Sequence, residues 1–232
     1  MEQLPNGLTL EIPAGAFPLS TDSMVLSDFV RLSKNARVLD LGSGCGTLGL
    51  LLCAKDPGCH VTGAELDPIA HQGAVENIRR NGLTHRMESI CTDLRTISVR
   101  FPPGQFSCCV SNPPYFSGGH ASQQTPLARR SDTCPPQALM ESAAWALKYG
   151  GDFFLVQKPE NLATLLTHAG ACGLEGKRLL LLRHHPGAGV NLIALHLRKG
   201  AKPGLVWQEE TLFTTDGRPT EYYRRVYHMS GD

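Results

Sequence analysis

Few stretches of this chain leave the backbone as little choice as residues 37–54. Arg37-Val38-Leu39-Asp40-Leu41 is an apolar run broken by one carboxylate, the pattern of a strand buried in a sheet. Gly42-Ser43-Gly44-Cys45-Gly46 follows, and then an apolar helix from Thr47 to Ala54. Glycines at alternate positions let the backbone turn sharply and let a ligand approach it closely. The helix start behind them offers unpaired N–H groups to a carboxylate or phosphate. A strand, a glycine turn and a helix in this order open a parallel α/β sheet whose ligand lies beyond the carboxyl ends of the strands. The spacing is Gly-x-Gly-x-Gly and differs from the Gly-x-Gly-x-x-Gly of dinucleotide binders. On these residues alone a generic nucleotide fold stays open.

The rest of the chain continues the alternation. Strands are expected at 37–41, 60–65, 87–91, 106–111 and 153–156, with helices at 47–55, 68–81 and 159–171 and another from Pro135 or Pro136 to Lys148. Asp67-Pro68 starts a helix well, Asn81-Gly82 stops one, and Gly150-Gly151 is read as a second stop. Leu179 to Leu182 and Val190 to Leu197 flank Pro186-Gly187-Ala188-Gly189, which suits an antiparallel hairpin. Ahead of the first sheet strand, Asn6-Gly7 and Leu8 to Ile12 suggest a small hairpin, and Ser23 to Ser33 a covering helix. The expected fold is α/β: a Rossmann-like, seven-stranded, mostly parallel sheet with helices on both faces and an antiparallel last strand pair. At 232 residues the chain fits a single domain: an N-terminal hairpin and helix (1–36), a core (37–200) and a C-terminal tail (201–232).

Four residues carry the chemistry. Asn112-Pro113-Pro114-Tyr115 closes the apolar run Phe106 to Ser111. The Asn112 oxygen and the Pro113 carbonyl can each accept one N–H of a planar amine. Two prolines restrict their own φ angles and the residue before each of them, so the acceptors are held rigidly. The Tyr115 ring offers a flat face on which a base can stack; the ring, not the hydroxyl, is the part this reading uses. At the carboxyl ends of the neighbouring strands, Glu65 is placed to take both hydroxyls of a ribose, and Asp93 to accept from an adenine amine.

Together these motifs resemble the class I S-adenosylmethionine-dependent methyltransferases, in the branch whose Asn-Pro-Pro-Tyr turn methylates amines. Thr21-Asp22-Ser23-Met24-Val25-Leu26 and the closing Asp216-Gly217-Arg218-Pro219-Thr220-Glu221 are similar to segments of the bacterial tRNA1(Val) (adenine(37)-N6)-methyltransferase family, so the resemblance spans nearly the whole chain. It implies S-adenosyl-L-methionine as cofactor. Gly42, Ser43, Gly44 and Gly46 would pass its methionine part, Asp40 would stand near its ammonium, and Thr21 would reach the same end. It also implies N6-methylation of an adenine in RNA, foremost tRNA near the anticodon. That family shows Ala-Arg-His-Glu in the loop after the turn, where this chain has Ala128-Arg129-Arg130-Ser131. Only Ala128 and Arg129 match. The aperiodic stretch from Phe116 to Cys134 is expected to form a lid over the substrate base, with Arg129 and Arg130 contacting RNA.

Other readings remain. Ribosomal RNA guanine-N2 methylation is the runner-up. Protein glutamine N5-methylation shares the turn, but enzymes of that kind resemble chains with a helical domain ahead of the glycine loop, and about forty residues stand there in this one. A non-catalytic cofactor-binding module conflicts with the intact turn. No run reaches membrane-spanning length, and Met1 to Pro5 does not read as a signal peptide. Eight cysteines without a C-x-x-C pair and nine histidines without ligand spacing point to reduced cytoplasmic thiols and to no metal. A net charge of +1 requires that any RNA-binding surface be local. The tail from Thr220 to His228 interleaves tyrosine and arginine, with Thr220 a candidate helix cap and Tyr223 and Tyr227 expected to pack on the domain.

Overall fold

A computed structural model describes residues 1–14, 18–115 and 134–229. A two-stranded antiparallel hairpin, β1 (Glu2–Gln3) with β2 (Thr9–Leu10), precedes the main sheet. The main sheet has eight strands: β3 (Arg37–Leu41), β4 (His60–Glu65), β5 (Met87–Cys91), β6 (Phe106–Ser111), β7 (Leu147–Gln157), β8 (Leu174–Arg183), β9 (Val190–Lys199) and β10 (Val206–Thr211). Their spatial order is β10-β8-β9-β7-β6-β3-β4-β5. β9 runs antiparallel to both β7 and β8, and every other pairing is parallel.

The chain lays β3, β4 and β5 outward in one direction and then returns to place β6 on the other side of β3. That reversal opens a crevice beyond the carboxyl ends of β3 and β6, where doubly wound sheets bind ligands. Helices cover both faces. On one side lie α1 (Thr21–Phe29), α2 (Thr47–Lys55), α3 (Pro68–Arg80) and, from the tail, α7 (Glu221–Val226). On the other lie the short α4 (Ile97–Arg100), α5 (Pro136–Ala146) and α6 (Leu162–Ala171). Strand side chains alternate between the two cores: Val38, Val110 and Phe154 go to the first, and Leu39, Cys109 and Phe153 to the second. Among the described residues no helix is long and apolar enough to cross a membrane, and no group of His, Cys, Asp and Glu is arranged to hold a metal. All eight cysteines are free thiols, six of them buried.

Helix boundaries follow local chemistry. Asp67 caps α3 by accepting from Ile69 N at 2.9 Å, with Pro68 in the first turn, and Gly82 at φ +66° ends it. Thr220 caps α7 through Tyr223 N. Three expectations need correction. The helix read through Lys148 stops at Ala146, because Leu147 already turns extended. Gly150-Gly151 then lies inside β7: Phe106 pairs with Leu147 but Cys108 with Asp152, so the extra residues form a bulge, with Gly150 at φ +76°. The tail also adds an eighth strand. β10 runs parallel to β8 at the sheet edge and leaves Val206 and Trp207 exposed. Its short polar run Gln208-Glu209-Glu210 gave no strand signal.

One close contact ties the sheet to the glycine turn. A Cβ at Gly63, in the middle of β4, would stand 2.6 Å from Ser43 Oγ and 2.9 Å from Ser43 Cβ. Gly63→Ala should therefore destabilise the fold by about 1–3 kcal/mol, read as a lower denaturation midpoint. Adding Ser43→Gly should recover most of that loss, and a double variant no more stable than Gly63→Ala would show that the contact is not the cause.

Candidate active site

The turn from β3 to α2 is held in left-handed backbone at Gly42 (φ +78°), Gly44 (φ +56°) and Gly46 (φ +86°). Side chains rarely adopt these angles. A Cβ at Gly42 or Gly44 would meet nothing within 4 Å, so both glycines face open space. The amides of Gly42 and Ser43 reach back to the Ala64 carbonyl at 2.9 and 3.1 Å. Glu65 fixes the outer side of the turn. Its Oε2 accepts from Gly44 N at 2.7 Å and its Oε1 from Asp67 N at 2.8 Å, so one carboxylate joins the starts of two helices. Asn77 of α3 holds the inner side. Its amide donates to the Cys45 carbonyl at 3.0 Å and exchanges hydrogen bonds with the Glu11 backbone at 2.8 and 2.9 Å.

Asp40 lies fully buried under this turn. Burial, and then the charge of Glu65, push its carboxyl up to about 8; a backbone hydrogen bond from Gly49 in the first turn of α2 acts the other way. Asp40 Oδ2 and Ser43 Oγ are both buried without a hydrogen-bond partner among the described residues. Asp93, just past β5, caps the turn Leu94–Thr96 and takes the Arg95 guanidinium at 2.9 Å, which holds its carboxyl below the usual range. An amine arriving at Asp93 would share that acceptor with Arg95.

Asn112 directly follows β6. Its Nδ2 donates to Ser23 Oγ in α1 at 2.9 Å, which turns Oδ1 the other way. Among the described residues neither Asn112 Oδ1 nor the Pro113 carbonyl receives a hydrogen bond. The buried Gln157, last residue of β7, donates to the Pro114 carbonyl at 3.5 Å. The Tyr115 hydroxyl donates to Asp22, and burial, followed by Asp22, raises its pKa. The hydroxyl that the sequence reading set aside therefore has a partner. Lys158 Nζ stands 4.5 Å from the centre of the Tyr115 ring.

A cleft of about 480 Å³ brings Gly42, Gly44, Glu65, Asp93, Asn112, Pro113, Pro114 and Tyr115 together. Asp40, Ser43, Gly46 and Thr21 do not line it. The first three form the bed of the glycine turn, and Thr21 Oγ1 instead pairs with the Tyr227 hydroxyl at 2.7 Å. Arg129, Arg130 and residues 116–133 of the expected lid lie outside the described residues. The cleft also has walls that the sequence reading missed: Leu66, Ala70, Leu94 and Cys134 supply apolar surface, and Asp22 and Asp67 further carboxylates. Leu66 was findable as an apolar residue next to Glu65. Asn77 was findable as a second asparagine, four residues before Asn81, on one helix face. Ser23 lay within the segment that resembles the family and Cys134 at the end of the expected lid, but neither had a pattern of its own that assigned it a place at the site.

A family model described as methyltransferase small domain matches residues 19–168. The chain is similar to a protein of Tolumonas auensis named tRNA1(Val) (adenine(37)-N6)-methyltransferase, at 33% identity over 209 residues, covering 88% of this chain and 85% of the relative. A Bacteroides fragilis protein of the same name is 31% identical over 175 residues, covering 75% of this chain and 73% of its own. Among solved structures, a predicted O-methyltransferase from Agrobacterium tumefaciens superposes with a TM-score of 0.75 at 19% identity, covering 90% of this chain and 96% of that one. At that identity the likeness is one of fold.

The buried Asp40 gives a pH test. Unfolded, this carboxyl loses its proton near 3.8; folded, it keeps it to about 8. The folded state binds the extra proton in between, so Asp40 costs stability increasingly as pH rises through that window. Asp40→Asn keeps an acceptor for Gly49 and carries no charge. Its melting temperature should gain on the wild type from pH 5 to pH 8. A difference between the two proteins that does not change with pH would overturn the assignment.

Proposed function

This chain belongs to the methyltransferase small domain family, and we propose that within it the protein transfers a methyl group from S-adenosylmethionine to the N6 amine of an adenine in tRNA, beside the anticodon. The observation that carries this reading is the Asn112-Pro113-Pro114-Tyr115 turn at the cleft wall, with Asn112 Oδ1 and the Pro113 carbonyl both without donors among the described residues. Two close acceptors suit the two hydrogens of an exocyclic amine. The names of the relatives from Tolumonas auensis and Bacteroides fragilis support the same substrate.

The cleft suits the cofactor. Open space above Gly42 and Gly44 leaves room for a ligand against the backbone. The carboxylates of Asp22, Glu65, Asp67 and Asp93 favour a cation, and Leu66, Ala70 and Leu94 favour an apolar ring. Glu65 is assigned the ribose hydroxyls, Asp93 the adenine amine, and the glycine turn with Asp40 beneath it the methionine end. When bound, the cofactor supplies an activated methyl on a sulfonium. The protein's task is then to position the amine. Asn112 and the Pro113 carbonyl accept the N6 hydrogens, which favours a pyramidal nitrogen and stabilises the positive charge growing on it. Pro114 is held from behind by Gln157, and Tyr115 stacks on the base. No strong general base is required, because the amine proton turns acidic only after the methyl has moved. The target adenine must leave its stack to reach the cleft, which is cheapest in a single-stranded loop. A tRNA substrate supports the cytoplasm as the compartment of the activity.

Losing one preorganised polar partner at such a site costs about 2.7–4 kcal/mol. Asn112→Ala should lower the single-turnover rate of methyl transfer to tRNA by about 10²–10³-fold at unchanged cofactor affinity by calorimetry. A near-wild-type rate would remove the proposed role of Asn112. Nucleoside mass spectrometry of the product should find N6-methyladenosine; a methylated guanine would favour the alternative substrate. An anticodon stem-loop should also react faster than a fully paired duplex carrying the same adenine, and equal rates would argue against base extrusion.

A further inference from the structure

We infer that Lys158 is a phosphate-binding residue that anchors the RNA backbone at the rim of the cleft, beside the nucleotide whose base enters it. The inference rests on the RNA substrate proposed above. Lys158 follows the last residue of β7, next to the carboxyl end of β6. Its neighbour Gln157 touches the Asn112-to-Tyr115 turn through the Pro114 carbonyl. Lys158 does not line the cleft, whereas Tyr115 does. Its ammonium covers the Tyr115 ring at 4.5 Å from the centroid and donates to the Asn191 carbonyl at 3.1 Å. A lysine ammonium has three N–H donors, so this bond leaves two for another acceptor.

Among the described residues, Arg95, next to the cleft residues Asp93 and Leu94, is already paired with Asp93. Lys158 has no carboxylate within ion-pair distance among the described residues. The cleft itself presents the carboxylates of Asp22, Glu65, Asp67 and Asp93, and these repel a phosphate. A nucleotide whose base stacks on the cleft side of Tyr115 must therefore keep its phosphate outside. Tyr115 lines the cleft with these carboxylates while Lys158, which covers its ring, does not, so the ammonium stands at the cleft's border. Contact with the ring and with Asn191 limits the freedom of the lysine stem, so less entropy is lost when it engages a phosphate.

The test is equilibrium binding of a tRNA anticodon stem-loop to the full-length protein over a salt series. Neutralising one phosphate of a single-stranded loop contributes a slope of about −0.7 in log K against log salt. Lys158→Met keeps an apolar stem against Tyr115 and should make the slope shallower by about 0.7. The wild-type advantage in Kd should then shrink by about 2.6-fold between 50 and 200 mM salt. Lys158→Arg should restore the wild-type slope. Calorimetric affinity for S-adenosylmethionine should be the same in all three proteins, which also reports that each is folded. An unchanged slope in Lys158→Met would overturn the proposal and leave the residue as a brace for the tyrosine ring. Failure of the wild-type protein to methylate tRNA would instead refute the substrate reading, in an assay independent of the salt series.

Discussion

The cleft depends on one carboxylate. Glu65 accepts the Gly44 amide at 2.7 Å and the Asp67 amide at 2.8 Å. The first belongs to the turn ahead of α2 and the second to the turn ahead of α3. Both are backbone donors near a helix start, and hydrogen bonds to a carboxylate are among the stronger ones. The two turns, one after β3 and one after β4, are thereby fixed to each other beside the point where strand order reverses. The cost falls on Asp40. Glu65 is the second cause, after burial, of its raised pKa. A rigid glycine turn is thus obtained by placing two acids close together and keeping one of them protonated.

The turn at Asn112 is rigid for reasons that two prolines do not exhaust. Ser23 fixes the amide of Asn112, Asp22 holds the Tyr115 hydroxyl, and Gln157 supports the Pro114 carbonyl. Asp22 and Ser23 sit in the first turn of α1, whose Thr21 is bonded to Tyr227 beyond α7. Tyr227 stacks on Tyr223, and Tyr223 packs on Phe213. Segments from both ends of the chain therefore brace a turn at residue 112. Thr21, assigned on resemblance to the cofactor, acts here as a link in that brace.

What the sequence made legible was local. The β3 strand, the glycine turn, the Asp67-Pro68 helix start and the β8–β9 hairpin each have a signature within a few residues, and each was found. The misses have one physical origin in common, dependence on a distant partner. Gly150-Gly151 reads as a helix stop until β6 is laid beside it; only then do the glycines become a bulge. β10 is a polar edge strand that exists because β8 offers it a ladder. Ser23, Gln157 and Asn77 are ordinary residues until folding brings them to the turns they hold. Strands such as β3, β6 and the Phe153–Val156 part of β7 needed no such partner to be recognised, since burial on both faces leaves a continuous apolar run.

Charge explains how one cleft can serve two reactants of opposite sign. Asp22, Glu65, Asp67 and Asp93 line it, and their field attracts a sulfonium cofactor while repelling a polyanion. The chain as a whole is nearly neutral, at +1, so it offers no general attraction to RNA that would overcome that repulsion. The part of an RNA suited to such a cleft is the part without charge, a base swung away from its phosphates. Entry of an extruded base is then an electrostatic requirement as well as a steric one. On the proposed reading, the apolar walls at Leu66 and Leu94 and the acceptors at Asn112 and Pro113 would complete the selection of a flat neutral ring with an amine at its edge.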